Sequence, residues 1–512
     1  MEHSISGACP DSFRQYPKWL FPIFFYLADS ADRGSLLRYT VALFLLCITA
    51  AAQTDTAPAV KPFIAYGDAR ILLRNVNVID GTGAPLKPNQ FVLISEGKIQ
   101  YVGSQAPDTA GVRMLDLAGR TVIPGLIDMH GHLYHRLASL GLAENDPTLE
   151  LPVTQATSFP RLFIAGGTTF VRTAGSMDPY GDLGLKRLID ARRIVGPKLD
   201  VTGPYLEGER PGLAGIKIHR LKDAEDARRT VDYWAYEGAT SFKGFFAITR
   251  AELKAAIDAA HAHGLKVTGH LCAVGYHEAI AMGIDNLEHG IITDSEFFPD
   301  KKPDTCPGWS AQRHLSSMDM ASEPVRQLIR DLIDHNVVIT STLAAWESFT
   351  PGRPPYDQRS LDTMFPDSRA DYLKHHEATQ IDKNRAFMSV MLKKEMEFER
   401  EFVAAGGLMM SGSDVETIPG YGMQRQIEDL VEAGFTPLDA IKISSYNGAQ
   451  YEGMLDRIGS IAAGKAADLV VLKGDPTKNI KNIETVELVF KDGIAYDSAK
   501  LAESVKGMVG VR

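Results

Sequence analysis

Between Thr121 and about Ala449 the chain alternates, eight times over, a short apolar run of β character with a longer stretch whose apolar residues recur at helical spacing. The β-like runs are VIPGLIDMHGH, GTTFVRTAG, KLDVTGPYL, TSFKGFF, LKVTGHL, DNLEHGI, VVITSTL and GLMMSGSD, and stretches such as RAELKAAIDAAHAHG and SEPVRQLIRDLIDHN lie between them. Eight strands, each followed by helix, predict an α/β fold of the (β/α)8 TIM-like barrel type, with the site at the C-terminal ends of the strands. A doubly wound open sheet is the structural competitor, weakened because no GxGxxG follows the first strand.

The two ends of the chain read differently. ARILLRNVNVIDGTG, FVLISEGKIQYVG and VRMLDLAGRTVI alternate with period two and are punctuated by glycines, and a similar pattern returns only in ADLVVLKGD and VELVFKDGIAYDS. Neither end holds enough apolar surface to fold alone, so the two are expected to combine into a small composite β-sandwich. The expected division is an export segment and linker over 1–59, sandwich over 60–122, barrel over 123–450 and sandwich again over 451–512.

The polar residues at the strand ends carry the chemistry. In VIPGLIDMHGH an extended backbone points His130 and His132 to one side, where two imidazoles can hold one metal ion. The other strand ends contribute Lys243, His270, His289 and Asp414. Singly, a strand-end histidine is more often a hydrogen-bonded core residue, and an Asp after a strand is often a helix cap. Six metal-ligand types at five strand ends of one barrel form a set. Asp128 should point away from the two histidines beside it, and His261 and His263 fall on a helix away from the mouth, so all three are read as structural.

PGLIDMHGH resembles the first metal-binding strand of the metal-dependent amidohydrolase superfamily, in the branch of imidazolonepropionase-related and prolidase-like enzymes, and AHAHGLKVTGH with AIAMGIDNLEHG resembles its fifth and sixth strands. The resemblance runs from about Ala69 to the C-terminus, including the return GSIAAGKAADLVVL, and leaves two loop regions unmatched. It implies two divalent metals per chain, zinc fitting best and manganese, iron or cobalt also fitting. It further implies Lys243 as a carboxylated bridging ligand, and Asp414 as a metal ligand that accepts a proton from the attacking water. A hydroxide bridging the ions would then open a peptide-like amide. Lys243 could instead be a surface or substrate-contacting ammonium, giving a one-metal cyclic-amide hydrolase or deaminase; a lactone or ester hydrolase and a catalytically silent binding module are the other rivals. Where many relatives carry a His and a Glu in the helix after strand eight, this chain has Gln424 and Gln426.

Two regions, Thr293 to Glu323 and Ala344 to about Lys383, read as long loops over the barrel mouth. They suggest a lid that takes an apolar group on Trp346 and pairs a substrate carboxylate with Arg353, while His135 follows the first strand closely enough to reach substrate. The expected partner is a small-molecule amide or peptide, with a homo-oligomer as the expected assembly. A formal net charge of -10 argues against a nucleic-acid binder. Arg33 and Arg38 precede YTVALFLLCITAAA, the layout of a secretory signal, so the protein is expected to be exported, with a membrane tether as the alternative. Cleavage near Ala52 would leave Cys272 and Cys306, which make no disulfide framework; an exported protein could pair them, but the unpaired state is the expectation.

Overall fold

The computed structural model describes residues 56–136, 152–209, 219–415 and 418–510, apart from the side chains of His135, Arg136 and Pro152. The expected signal segment lies outside the described residues. Among the described residues no helix is long and apolar enough to cross a membrane.

Eight parallel strands form the central sheet: β1 (Leu126–Gly131), β2 (Thr168–Thr173), β3 (Lys198–Leu206), β4 (Ser241–Gly244), β5 (Lys266–Gly269), β6 (Asn286–Glu288), β7 (Val338–Ser341) and β8 (Met409–Ser411). Each pairs with its sequence neighbour, from β1 through to β8. The Asp414 amide just past β8 donates to the His130 carbonyl of β1 at 2.7 Å, bringing the two ends of the sheet together. The result is the predicted barrel, nearly closed, with helices outside. Helix Arg250–Ala262 shows why the pattern between strands folds as it does. Thr249 and Glu252 form a reciprocal cap at its start, and Leu253, Ala256, Ile257 and Ala260 are buried.

A second, nine-stranded mixed sheet is built from both chain ends. Its strands span Ile64–Tyr66 to Thr121–Pro124 on one side of the barrel sequence and Leu469–Leu472 to Ile494–Asp497 on the other. Ile71, Leu73, Val92 and Val122 share one core with Leu469, Val471 and Phe490. The run VIPGLIDMHGH is therefore two strands and not one. Thr121–Pro124 pairs with Leu469–Leu472 in the mixed sheet, Gly125 breaks the run, and β1 begins at Leu126. Only glycine fits at the break, because a Cβ there would stand 2.1 Å from Thr169 Oγ1.

The regions expected as open loops are substantially helical. The first holds Trp309–Ser317; the second holds Leu343–Glu347, Gln358–Thr363 and Pro366–Ile381. Ala311, Leu315, Trp346 and Leu361 are buried in these insertions, so they carry anchoring apolar contacts that a composition-based loop assignment overlooks. Cys272 and Cys306 form a disulfide, contrary to the sequence expectation. The chain between them returns from the end of β5 through β6, which brings two distant cysteines to one end of neighbouring strands.

Helix Met388–Ala404 buries Glu395 and Glu399, one turn apart, against the outside of the barrel. Burial pushes Glu399 up from the ordinary 4.5 to about 8. A carboxyl raised in the folded state contributes stability fully below the unfolded value and loses it as pH rises through the folded one. The Glu399 contribution to stability should therefore be lost from pH 4.5 to about 8. Glu399→Gln, isosteric with the protonated acid, should melt higher than wild type at pH 8.5 and close to it at pH 4.5. Thermal unfolding at the two pH values checks this, and a variant less stable at both contradicts it.

Candidate metal centre

The barrel brings the six strand-end residues into one cluster, buried except for the partly exposed Asp414. His130 Nε2 lies 2.9 Å from Lys243 Nζ and 3.4 Å from Asp414 Oδ1, and His132 Nε2 lies 3.0 Å from the same Asp414 oxygen. The two imidazoles thus converge from one side, as their spacing predicts. His270 follows β5 directly and His289 follows β6; their ring centroids are 4.2 Å apart, and His289 is 4.6 Å from His130. One donor atom each from His130, His289 and Asp414 lies within 4.8 Å of the others.

Backbone conformation helps to aim this set. His289 has φ +71° and Asp414 φ +48°, left-handed values that cost a non-glycine residue on the order of 1 kcal/mol and that turn each side chain out of its strand line. Gly290 follows His289 with φ +67°, and a Cβ there would fall 1.6 Å from Glu395 Oε1. The Glu395 carboxylate accepts the Ile292 amide at 2.7 Å, holding the turn Gly290–Thr293 that His289 enters.

The donor set fits divalent metal. His132 Nδ1, His270 Nε2 and His289 Nε2 are buried without a hydrogen-bond partner, an arrangement that is costly unless a cation or a ligand takes them up. Burial presses His130, His270 and His289 below the ordinary histidine value, and the Lys243 ammonium adds to this at all three, so the neutral, metal-binding form prevails. Burial alone would raise Asp414, but His130, His132 and His289 outweigh it and hold the carboxyl well below its usual range. Among the described residues, His130, His289 and Asp414 are those whose donor atoms converge closely enough to hold one divalent ion.

Two residues that sequence reading missed complete the centre. Glu288, fully buried at the end of β6, accepts from His130 Nδ1 at 2.7 Å, which turns the lone pair of His130 Nε2 toward the cluster and Lys243 Nζ. Arg172 of β2 holds Glu288 in turn: its guanidinium donates to Glu288 Oε1 at 2.7 Å, to the Met129 carbonyl at 2.8 Å and to Asn286 Oδ1 at 2.9 Å. The available signal was a pair of opposite charges inside apolar barrel strands. Asp128 does not face away as expected: two residues before His130 it shares that side of the strand, where it accepts the His130 amide at 3.1 Å and the Ser413 amide at 2.9 Å and hydroxyl at 2.6 Å, tying β1 to the turn after β8. Gln424 donates to the Gly166 carbonyl, and Gln426 bridges Ser341 and the Ala344 amide; both serve packing around the barrel.

The residues expected to meet substrate diverge. Trp346 stands beside the centre, its ring 5.8 Å from that of His289. Arg353 is committed elsewhere, within 2.8 Å of Glu347 and of Glu432 and 3.3 Å of Asp429, so the expected pairing with a substrate carboxylate gives way to an internal ion network. The backbone of His135 lies in the short strand Tyr134–Arg136; its side chain is outside the described residues.

Comparison with known proteins matches this arrangement to one family. A model of the Amidohydrolase family matches residues 121–495. Adenine deaminase 3 of Rhizobium meliloti (strain 1021) is 24% identical over 429 residues, covering 81% of this chain and 56% of that protein. Imidazolonepropionase of Brucella anthropi is 27% identical over 280 residues, 46% of this chain and 67% of that protein. The chain spans about half the length of the adenine deaminases it matches. Among solved structures, a putative prolidase from Bifidobacterium longum superposes with TM-score 0.62 at 22% identity, covering 86% of this chain and 100% of that one. A Xaa-Pro dipeptidase with bound methionine superposes with TM-score 0.63 at 20% identity, covering 84% and 100%. At these identities the likeness establishes the fold.

Proposed function

The chain belongs to the amidohydrolase family, and from that premise we propose that it is a metal-dependent hydrolase of peptide-like amides, dipeptides or N-acyl amino acids, carrying two divalent metals bridged by carboxylated Lys243. The observation that carries this reading is the position of Lys243. Its buried Nζ stands 2.9 Å from the Nε2 of buried His130, where a plain ammonium would be forced against incoming cations and a carbamate would instead supply anionic ligand oxygens. Metal ions bound there would supply Lewis acidity and bring water within reach of deprotonation near neutral pH.

The chain's own residues then divide the work. Asp414 takes the proton of the attacking water on a carboxylate oxygen and passes it to the leaving amine nitrogen. His130, His132, His270 and His289 hold the centre, and Glu288 keeps His130 Nδ1 protonated so that Nε2 stays available. The paired cysteines support export to an oxidising compartment. Deamination is the second reading, favoured by the adenine deaminase relatives. The test is a screen of dipeptides, N-acyl amino acids and adenine with purified protein, stripped by chelator and reloaded with zinc. The proposal expects zinc-dependent release of amino acid; ammonia from adenine alone would replace it with the second reading.

A further inference from the structure

A row of aromatic rings leads from the centre to the surface. Trp346 meets the His289 ring edge-on at 5.8 Å, Phe349 lies 5.8 Å beyond Trp346, and Trp309 lies 6.4 Å beyond Phe349. Exposure climbs along the row, from 1% at His289 and 9% at Trp346 to 39% at Phe349 and 45% at Trp309. The rings come from both insertions, and Arg385 fastens the outer end, its guanidinium 5.9 Å from the Trp309 centroid and 5.5 Å from that of Phe349.

Two observations point from this row to a ligand. Trp346 Nε1 is buried beside the centre without a hydrogen-bond acceptor, although an indole N–H buried in a fold ordinarily finds one. Two large aromatic faces also stay wet at the mouth in a wall that Arg385 holds in place, which is apolar surface a bound group would cover. The wall is continuous with the centre, so a group lying on it belongs to whatever molecule reacts there.

We propose that this wall is the specificity subsite for an aromatic side group on the substrate: the ring stacks on Phe349 and Trp309, and Trp346 Nε1 donates to a carbonyl oxygen nearer the reacting bond. Phe349 lies two centroid steps of 5.8 Å from His289, so the ring of a phenylalanine or tyrosine whose amide sits in front of His289 would lie between the two and meet Phe349. The inference rests on the amide-hydrolase reading. It replaces the internally paired Arg353 with an aromatic wall as the element that selects substrate.

The test compares zinc-loaded wild type with Phe349→Ala and Trp309→Ala on Ala-Ala and Ala-Phe, and follows the intrinsic tryptophan fluorescence of each protein on titration with L-phenylalanine. Wild type should prefer Ala-Phe, each variant should lower the Ala-Phe to Ala-Ala ratio of kcat/KM about tenfold, mostly through KM, and phenylalanine should quench fluorescence in wild type more strongly than in Phe349→Ala. Equal activity on the two dipeptides in wild type, or equal losses on both in the variants, overturns the subsite. If neither dipeptide is cleaved, the dipeptidase form of the hydrolase reading fails by itself; quenching that Phe349→Ala abolishes then still supports the aromatic subsite, and no quenching in wild type overturns it.

Discussion

Asp414→Asn should lower kcat on any amide the wild type cleaves by about 10²–10⁴-fold, the range expected when a positioned proton carrier is removed. The substitution is a clean one. Asn tolerates the left-handed backbone that Asp414 adopts at φ +48°, and the hydrogen bond that the residue 414 backbone N–H donates to the His130 carbonyl, which draws the ends of the barrel sheet together, does not involve the side chain. What is lost is the negative charge next to His130, His132 and His289 and the ability to accept a proton. Because Asp414 is also expected to touch metal, metal content must be read alongside rate. Lost turnover with metal retained identifies the proton-carrying role, and lost turnover with metal gone identifies a ligand. Unchanged turnover would remove Asp414 from the mechanism.

Glu288→Gln should weaken metal binding about 10–100-fold, the usual consequence of removing the group that orients a ligating histidine. The same change strands the buried Arg172 guanidinium, which costs about 3–5 kcal/mol of stability when one member of a buried pair is removed. These two effects separate in the double variant Glu288→Gln, Arg172→Met. There the unpaired charge is gone, so stability should largely return, while His130 still lacks its carboxylate and metal affinity should stay low. Thermal unfolding of the stripped proteins with zinc titration reads both, and recovery of affinity together with stability would make Glu288 a purely structural residue.

The barrel was legible because helical and β periodicities alternate cleanly between Thr121 and Ala449, and the six clustered strand-end residues because each ends an apolar run. Side-chain direction follows from such a pattern. Three things did not follow. The split of VIPGLIDMHGH at Gly125 depends on Leu469–Leu472, a partner more than 340 residues away that no local pattern announces. Glu288 and Arg172 were hidden by their neighbours: in LEHG the histidine draws the eye, and only packing shows that the preceding carboxylate reaches back to His130. Arg353 misled for the opposite reason. An arginine in an aromatic-rich insertion looks like a substrate anchor until Glu347, Asp429 and Glu432 are seen around it.

The account turns on whether Lys243 bridges two ions. Metal content by elemental mass spectrometry, on wild type and Lys243→Ala prepared side by side with bicarbonate and zinc, decides it most directly. Two ions per chain in wild type, with one or both lost in the variant, is the predicted result; one ion in each protein would contradict the bridged centre.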